Sequence, residues 1–190
     1  MLCENEMYVK ERTRKEIEAR IESMGDYMQM GYLAGCLKNP LDFDTRKFVL
    51  TKLSGLYESK KMFLDAAKML KIAADINTTY QAKIIDFVKA CELFLRAGDH
   101  EQVDLCMKMA LGVANEKQKL EIKRTIKEFY KMWGKFYIES GKKKQAIETY
   151  EKLWHFGLSD DEKSEVRDEL MKIYKELGKI REYDTWKNRN

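Results

Sequence analysis

The breaks in this chain come at a nearly fixed interval. Gly25, Lys61, Gly98, Gly141 and Gly178 are separated by 36, 37, 43 and 37 residues, and each interrupts a run with helical apolar spacing. Four places before each break stands a large apolar or aromatic residue: Ile21, Tyr57, Phe94, Tyr137 and Tyr174. Five places after it stand Met30, Ala66, Val103, Ala146 and Tyr183. A turn residue flanked by the same two contacts, kept in register, implies a repeated unit that stacks on its copies. Each unit is predicted to be a helical hairpin whose first helix ends on a left-handed residue, a conformation that glycine adopts at little cost.

Composition agrees with helices. Ten glycines and a single proline, Pro40, in 190 residues leave too little turn punctuation for a sheet-rich fold. Apolar residues recur at three and four, as in Phe87, Ala90, Cys91 and Phe94 or Val166, Leu170, Ile173 and Tyr174, and Ser159 with Glu162 forms a capping box. The expected fold is all-α, a right-handed α-α superhelix of about five helical hairpins, with residues 1–190 as one repeat domain and turns near 25, 61, 98, 141 and 178. The longest interval, 43, falls where Leu120, Ile122, Ile126 and Phe129 keep an apolar rhythm. The extra residues are therefore predicted to lengthen one first helix, which should be the longest.

The unit around Gly141 resembles a known family. Tyr130-x-x-Trp133-Gly134-x-x-Tyr137 followed by Ala146-x-x-x-Tyr150 is similar to the tetratricopeptide (TPR) signature. Leu50, Leu53, Ser54, Tyr57, Ala66, Leu70 and Ala73 take the corresponding places one unit, and Phe87, Ala90, Cys91, Phe94, Val103, Met107 and Ala110 another. The family's closing proline is replaced by Leu158, and the units are longer, similar to the TPR-like solenoids of vesicle-fusion adaptors and proteasome-lid subunits. The resemblance implies that small residues such as Ala146 let the two helices of a hairpin approach closely while aromatics fill the space between them. Trp133 is expected in the core, and Trp186 as a cap of the array or a partner contact.

No motif for covalent chemistry is present. His100 and His155 are isolated and expected to be solvated or capping, and the sequence holds no metal-binding histidine pair, phosphate loop or nucleophile elbow. Catalytic and metal residues are therefore none, no cofactor is implied, and the chain is read as a non-enzyme. The four cysteines, Cys3, Cys36, Cys91 and Cys106, are scattered, which fits reduced thiols in a cytoplasmic protein. The start is charged and no run of about 18 apolar residues occurs, so neither a secretory leader nor a membrane span is expected.

A helical solenoid presents its first helices on a concave surface, where a partner is sought. Arg12, Lys15, Lys52, Lys89 and Arg96 are predicted to face such a groove in the N-terminal half, and Glu128, Glu139, Asp168, Glu169 and Glu176 in the C-terminal half. Relatives that clamp a C-terminal carboxylate use a basic and amide set, of which Ala19 and Ile85 replace two members here. The expected function is a non-catalytic protein-protein interaction scaffold holding a peptide segment or partner protein, such as an acidic one. The alternative is an RNA-associated helical repeat protein, suggested by Tyr8, Tyr27 and Tyr32 near Arg12, Arg14 and Arg20. The run Lys142-Lys143-Lys144 is expected to be a solvated turn.

Overall fold

The computed structural model describes residues 9–189, so that Cys3 and Tyr8 lie outside the described residues. It is all-α. Ten helices occur among the described residues: α1 (Arg14–Ile21), α2 (Asp26–Cys36), α3 (Phe43–Ser59), α4 (Phe63–Ile76), α5 (Tyr80–Ala97), α6 (His100–Val113), α7 (Glu116–Glu139), α8 (Lys143–Leu153), α9 (Asp160–Glu176) and α10 (Ile180–Lys187). At 24 residues α7 is the longest, so the apolar rhythm after residue 118 does extend a helix rather than form a loop. Two compact units are present, one up to Gln118 and one from Lys119 onward.

Four of the five hairpin turns are closed in the same way. Lys61, Gly98, Gly141 and Gly178 have positive φ, at 61, 79, 70 and 67°. The next N–H then reaches back to the carbonyl of the large residue four places before the turn: Met62 to Tyr57, Asp99 to Phe94, Lys142 to Tyr137 and Lys179 to Tyr174, at 2.8 to 2.9 Å. This is the 6→1 bond that satisfies a carbonyl left over at a helix end. The second helix starts at once, its first backbone bonds running from Ala66 to Met62, Val103 to Asp99, Ala146 to Lys142 and Tyr183 to Lys179. The first turn departs from this pattern. Gly25 is extended, with φ −69°, and serves as the N-cap of α2, while Gln29 ties the turn by donating to the Ile21 and Met24 carbonyls at 3.1 and 2.8 Å.

The closed turn sets which residues face each other inside a hairpin. Twelve residues separate Ser54 from Ala66, and the Ser54 hydroxyl donates to the Ala66 carbonyl at 2.8 Å. At the same spacing the Cys91 thiol donates to the Val103 carbonyl at 3.6 Å. The third pair, Gly134 and Ala146, has no side chain to bond. Instead the ring of Tyr150 lies on Gly134, and a Cβ added there would stand 2.9 Å from its Cζ. Ala66 and Ala146 are wholly buried, as are Leu53, Phe94 and Tyr130 beside them. Each large side chain buried in this way contributes about 1.5–3 kcal/mol. Trp133 is only half-buried, stacked edge-on against Phe136 at 5.0 Å, because it sits one position off the face that Tyr130, Gly134 and Tyr137 bury. His100 is buried as the first residue of α6 rather than solvated.

The connections between hairpins use side-chain caps. Asp42, Thr79 and Ser159 accept from the N–H three residues on, and Asn115 and Gln118 exchange two such bonds at 2.9 Å each. At the far end of the second unit Trp186 packs edge-on against Trp154 at 5.1 Å, with the Arg189 guanidinium over both rings. Trp186 therefore caps the last hairpin.

Three substitutions test this account of stability. Lys61 is the one non-glycine residue with positive φ among the described residues, so Lys61→Gly should stabilise the protein by about 0.5–1 kcal/mol in chemical denaturation. Gly55 has open space around it inside α3, and Gly55→Ala should gain about 0.5–1 kcal/mol from helix propensity. Gly134→Ala, with the same propensity gain, should instead lose about 1–2 kcal/mol through the clash with Tyr150.

Candidate interaction surfaces

In the unit up to Gln118, Glu58 on α3 gathers two of the cations expected to line a groove. The Arg96 guanidinium and the Lys89 ammonium, both on α5, approach its Oε1 at 2.5 and 3.3 Å, and Lys89 also meets Glu92 at 2.9 Å. Arg96 further lies over the Phe63 ring, 4.0 Å from its centroid. Partial burial disfavours the Lys89 charge, but Glu92 and Glu58 outweigh it and raise the pKa. These two cations thus join α3, α4 and α5 to one another.

The other three predicted cations are placed apart from this cluster. Lys52 is exposed on another face of α3, where it lines a cavity of about 560 Å³ with Phe48, Leu56 and Asp26. Lys15 is exposed on α1, and Arg12, ahead of α1, donates to the Val9 carbonyl at 3.5 Å. Tyr32, invoked for stacking on RNA bases, is 2% exposed. The ring of Tyr27 is exposed but already carries the Lys60 ammonium at 5.2 Å.

The unit from Lys119 onward holds a larger cleft, of about 670 Å³, between α7, α8 and α9. Its floor includes Tyr150, Leu153 and Val166, and its walls carry Glu139, Glu165 and Glu169. At one side Glu162 accepts from Lys127 at 2.9 Å and from Lys131 at 2.5 Å, while also accepting from the Ser159 N–H of its capping box. The lysines, with that N–H, hold its carboxyl down to about 2. Tyr150 is pushed up to about 12, by burial first and then by the carboxylates of Glu169, Glu165 and Glu139. Of the acidic residues expected in this half, Glu139, Asp168 and Glu169 come together here. Glu128 instead pairs with Lys131 at 3.6 Å, and Glu176 with Lys143 at 3.0 Å. Lys143 is therefore bound across to α9, although the turn around it was expected to be simply solvated.

No family model matches the chain, and no curated protein matches it. The crystal structure of BtubC (BKLC) from P. vanneervenii is similar to 90% of this chain and 73% of that one, with 15% identity and a TM-score of 0.39. A likeness of that size says nothing of what the present chain binds.

Sequence reading missed Tyr150, Glu58 and Glu162 as organising residues. Tyr150 reads as a packing aromatic in the TPR pattern, and Glu162 as half of a capping box; both are so, and both also face a cleft. The available signal was the pair Glu165 and Glu169, one helical turn apart on α9 and flanking the buried Val166. Among the described residues no group of three or more His, Cys, Asp or Glu is placed to hold a metal ion, and no helix is long and apolar enough to cross a membrane.

Glu162 gives the cleft a pH dependence. Its carboxyl is depressed from about 4.5 to about 2, so its ion pairs contribute stability that is complete above pH 4.5 and is lost as pH falls towards 2. Glu162→Gln should flatten this part of the acid-unfolding profile, measured by circular dichroism, relative to the unsubstituted protein.

Proposed function

We propose that the chain is a non-catalytic, TPR-like interaction scaffold that holds a segment of a partner protein against its first helices. Residues 1–190 act as one repeat domain in the cytoplasm, without a cofactor. The turn register, continuous in sequence from Gly25 to Gly178, supports the single domain. The observation that carries the binding reading is the Lys52 cavity: an exposed ammonium beside apolar Phe48 and Leu56 in a space of about 560 Å³. Such a surface offers an acidic segment an attractive charge for encounter and apolar contact for residence. Burial of Tyr32 removes a stacking platform from the RNA reading, so the protein segment is favoured.

The pairing of Lys89 decides how to test this. Reversing Lys89 would put a third carboxylate beside Glu58 and Glu92 and unsettle α3 against α5, so Lys15 and Lys52 are the informative pair. Lys15→Glu with Lys52→Glu should weaken binding of a fluorescent hexaglutamate peptide about three-fold or more and leave the melting curve nearly unchanged. Lys142→Glu with Lys144→Glu makes the same charge change at a hairpin turn and should alter affinity far less. Equal losses from the two pairs would reduce the effect to net charge and end the groove reading.

A further inference from the structure

We infer that the cleft between α7, α8 and α9 captures cationic side chains, from adjacent Lys or Arg residues of a bound protein segment. This rests on the scaffold reading and names the chemistry of one of its sites. Tyr150 is the first reason. It is 7% exposed, it lines the cleft, and its hydroxyl has no hydrogen-bond partner among the described residues. A phenol in such a position has both a donor and acceptor sites to offer a ligand. It is held there firmly, since its ring lies on Gly134, where a Cβ would leave no room for it.

The charge around that hydroxyl selects the ligand. Glu139, Glu165 and Glu169 are the carboxylates that raise Tyr150, and none of the three has an ion pair among the described residues. Of the three lysines that line the cleft, Lys131 is bound to Glu162 and Glu128, and Lys135 and Lys172 are exposed and are not among the charges that shift Tyr150. An anion brought beside the hydroxyl would meet three like charges, whereas an ammonium or guanidinium would donate to the phenol oxygen and to a carboxylate together. The apolar surface of Leu153, Val166 and Ile138 then accommodates the methylene stem of the same side chain. A space of about 670 Å³ exceeds what one such side chain fills, which is why two neighbouring cations are inferred.

The test uses the full chain and a fluorescent Lys-Arg-Lys-Arg-Lys-Arg peptide, with affinity read by anisotropy at moderate salt. The unsubstituted protein should bind it. Glu165→Gln with Glu169→Gln should weaken binding about tenfold, and Tyr150→Phe, which keeps the ring on Gly134, about three-fold or more. Glu101→Gln with Glu121→Gln, an exposed pair with the same charge change, should stay within about two-fold of the parent. Equal loss from the two glutamine pairs, no loss in Tyr150→Phe, or no binding by the parent overturns the inference. A chain that binds hexaglutamate through Lys15 and Lys52 but not the basic peptide keeps the scaffold reading and discards this one.

Discussion

One backbone hydrogen bond organises most of this protein: the N–H just after a left-handed turn residue donating to the carbonyl of the aromatic five residues earlier. It can form only if the turn residue has positive φ, and once formed it fixes the direction in which the second helix leaves. The twelve-residue spacing between Ser54 and Ala66, Cys91 and Val103, and Gly134 and Ala146 is a consequence of that geometry. So is the burial of Ala66, Val103 and Ala146, since a helix that leaves at this angle brings its first turn against the preceding helix. Where the bond is missing, at Gly25, a glutamine side chain takes over the turn.

This explains why the hairpins were legible in the sequence. Turn, knob and contact residue are local, all within nine positions, and their chemistry is visible one residue at a time. Lys61 shows the limit of the rule: nothing in a lysine announces positive φ, and only its place in the series did so. Gly25 shows the opposite limit, because a glycine at the right interval proved to be an extended N-cap. Trp133 was misplaced for a related reason. The TPR resemblance assigns it a core position, but Tyr130, Gly134 and Tyr137 already define the buried face of α7, and the indole sits at its edge.

Charge was less legible, and the reason is distance along the chain. Whether Lys89 faces a partner or an internal carboxylate depends on Glu58, 31 residues away on another helix. The same separation joins Lys131 to Glu162. Helix periodicity places a lysine on a face but cannot say which carboxylate the next hairpin will bring opposite it. The five cations expected to form a strip therefore divide into Lys89 and Arg96, which hold helices together, Arg12, which donates to the Val9 carbonyl, and Lys15 and Lys52, which stay exposed.

The two units consequently handle their charged first helices differently. In the first, Glu58 and Glu92 answer Lys89 and Arg96 of α5, while Lys15 and Lys52 stay exposed. In the second, Glu162 engages Lys127 and Lys131, which withdraws these lysines from Glu139, Glu165 and Glu169 across the cleft. The capping box takes part in that withdrawal. By bonding the Ser159 N–H, Glu162 is fixed at the start of α9, where its carboxylate also meets the positive end of the helix dipole. A carboxylate already held in place by its cap bond loses less side-chain freedom on pairing with a lysine than exposed Glu165 or half-buried Glu169 would. The device that starts α9 is thus also what keeps Lys131 from the carboxylates one turn further along the same helix.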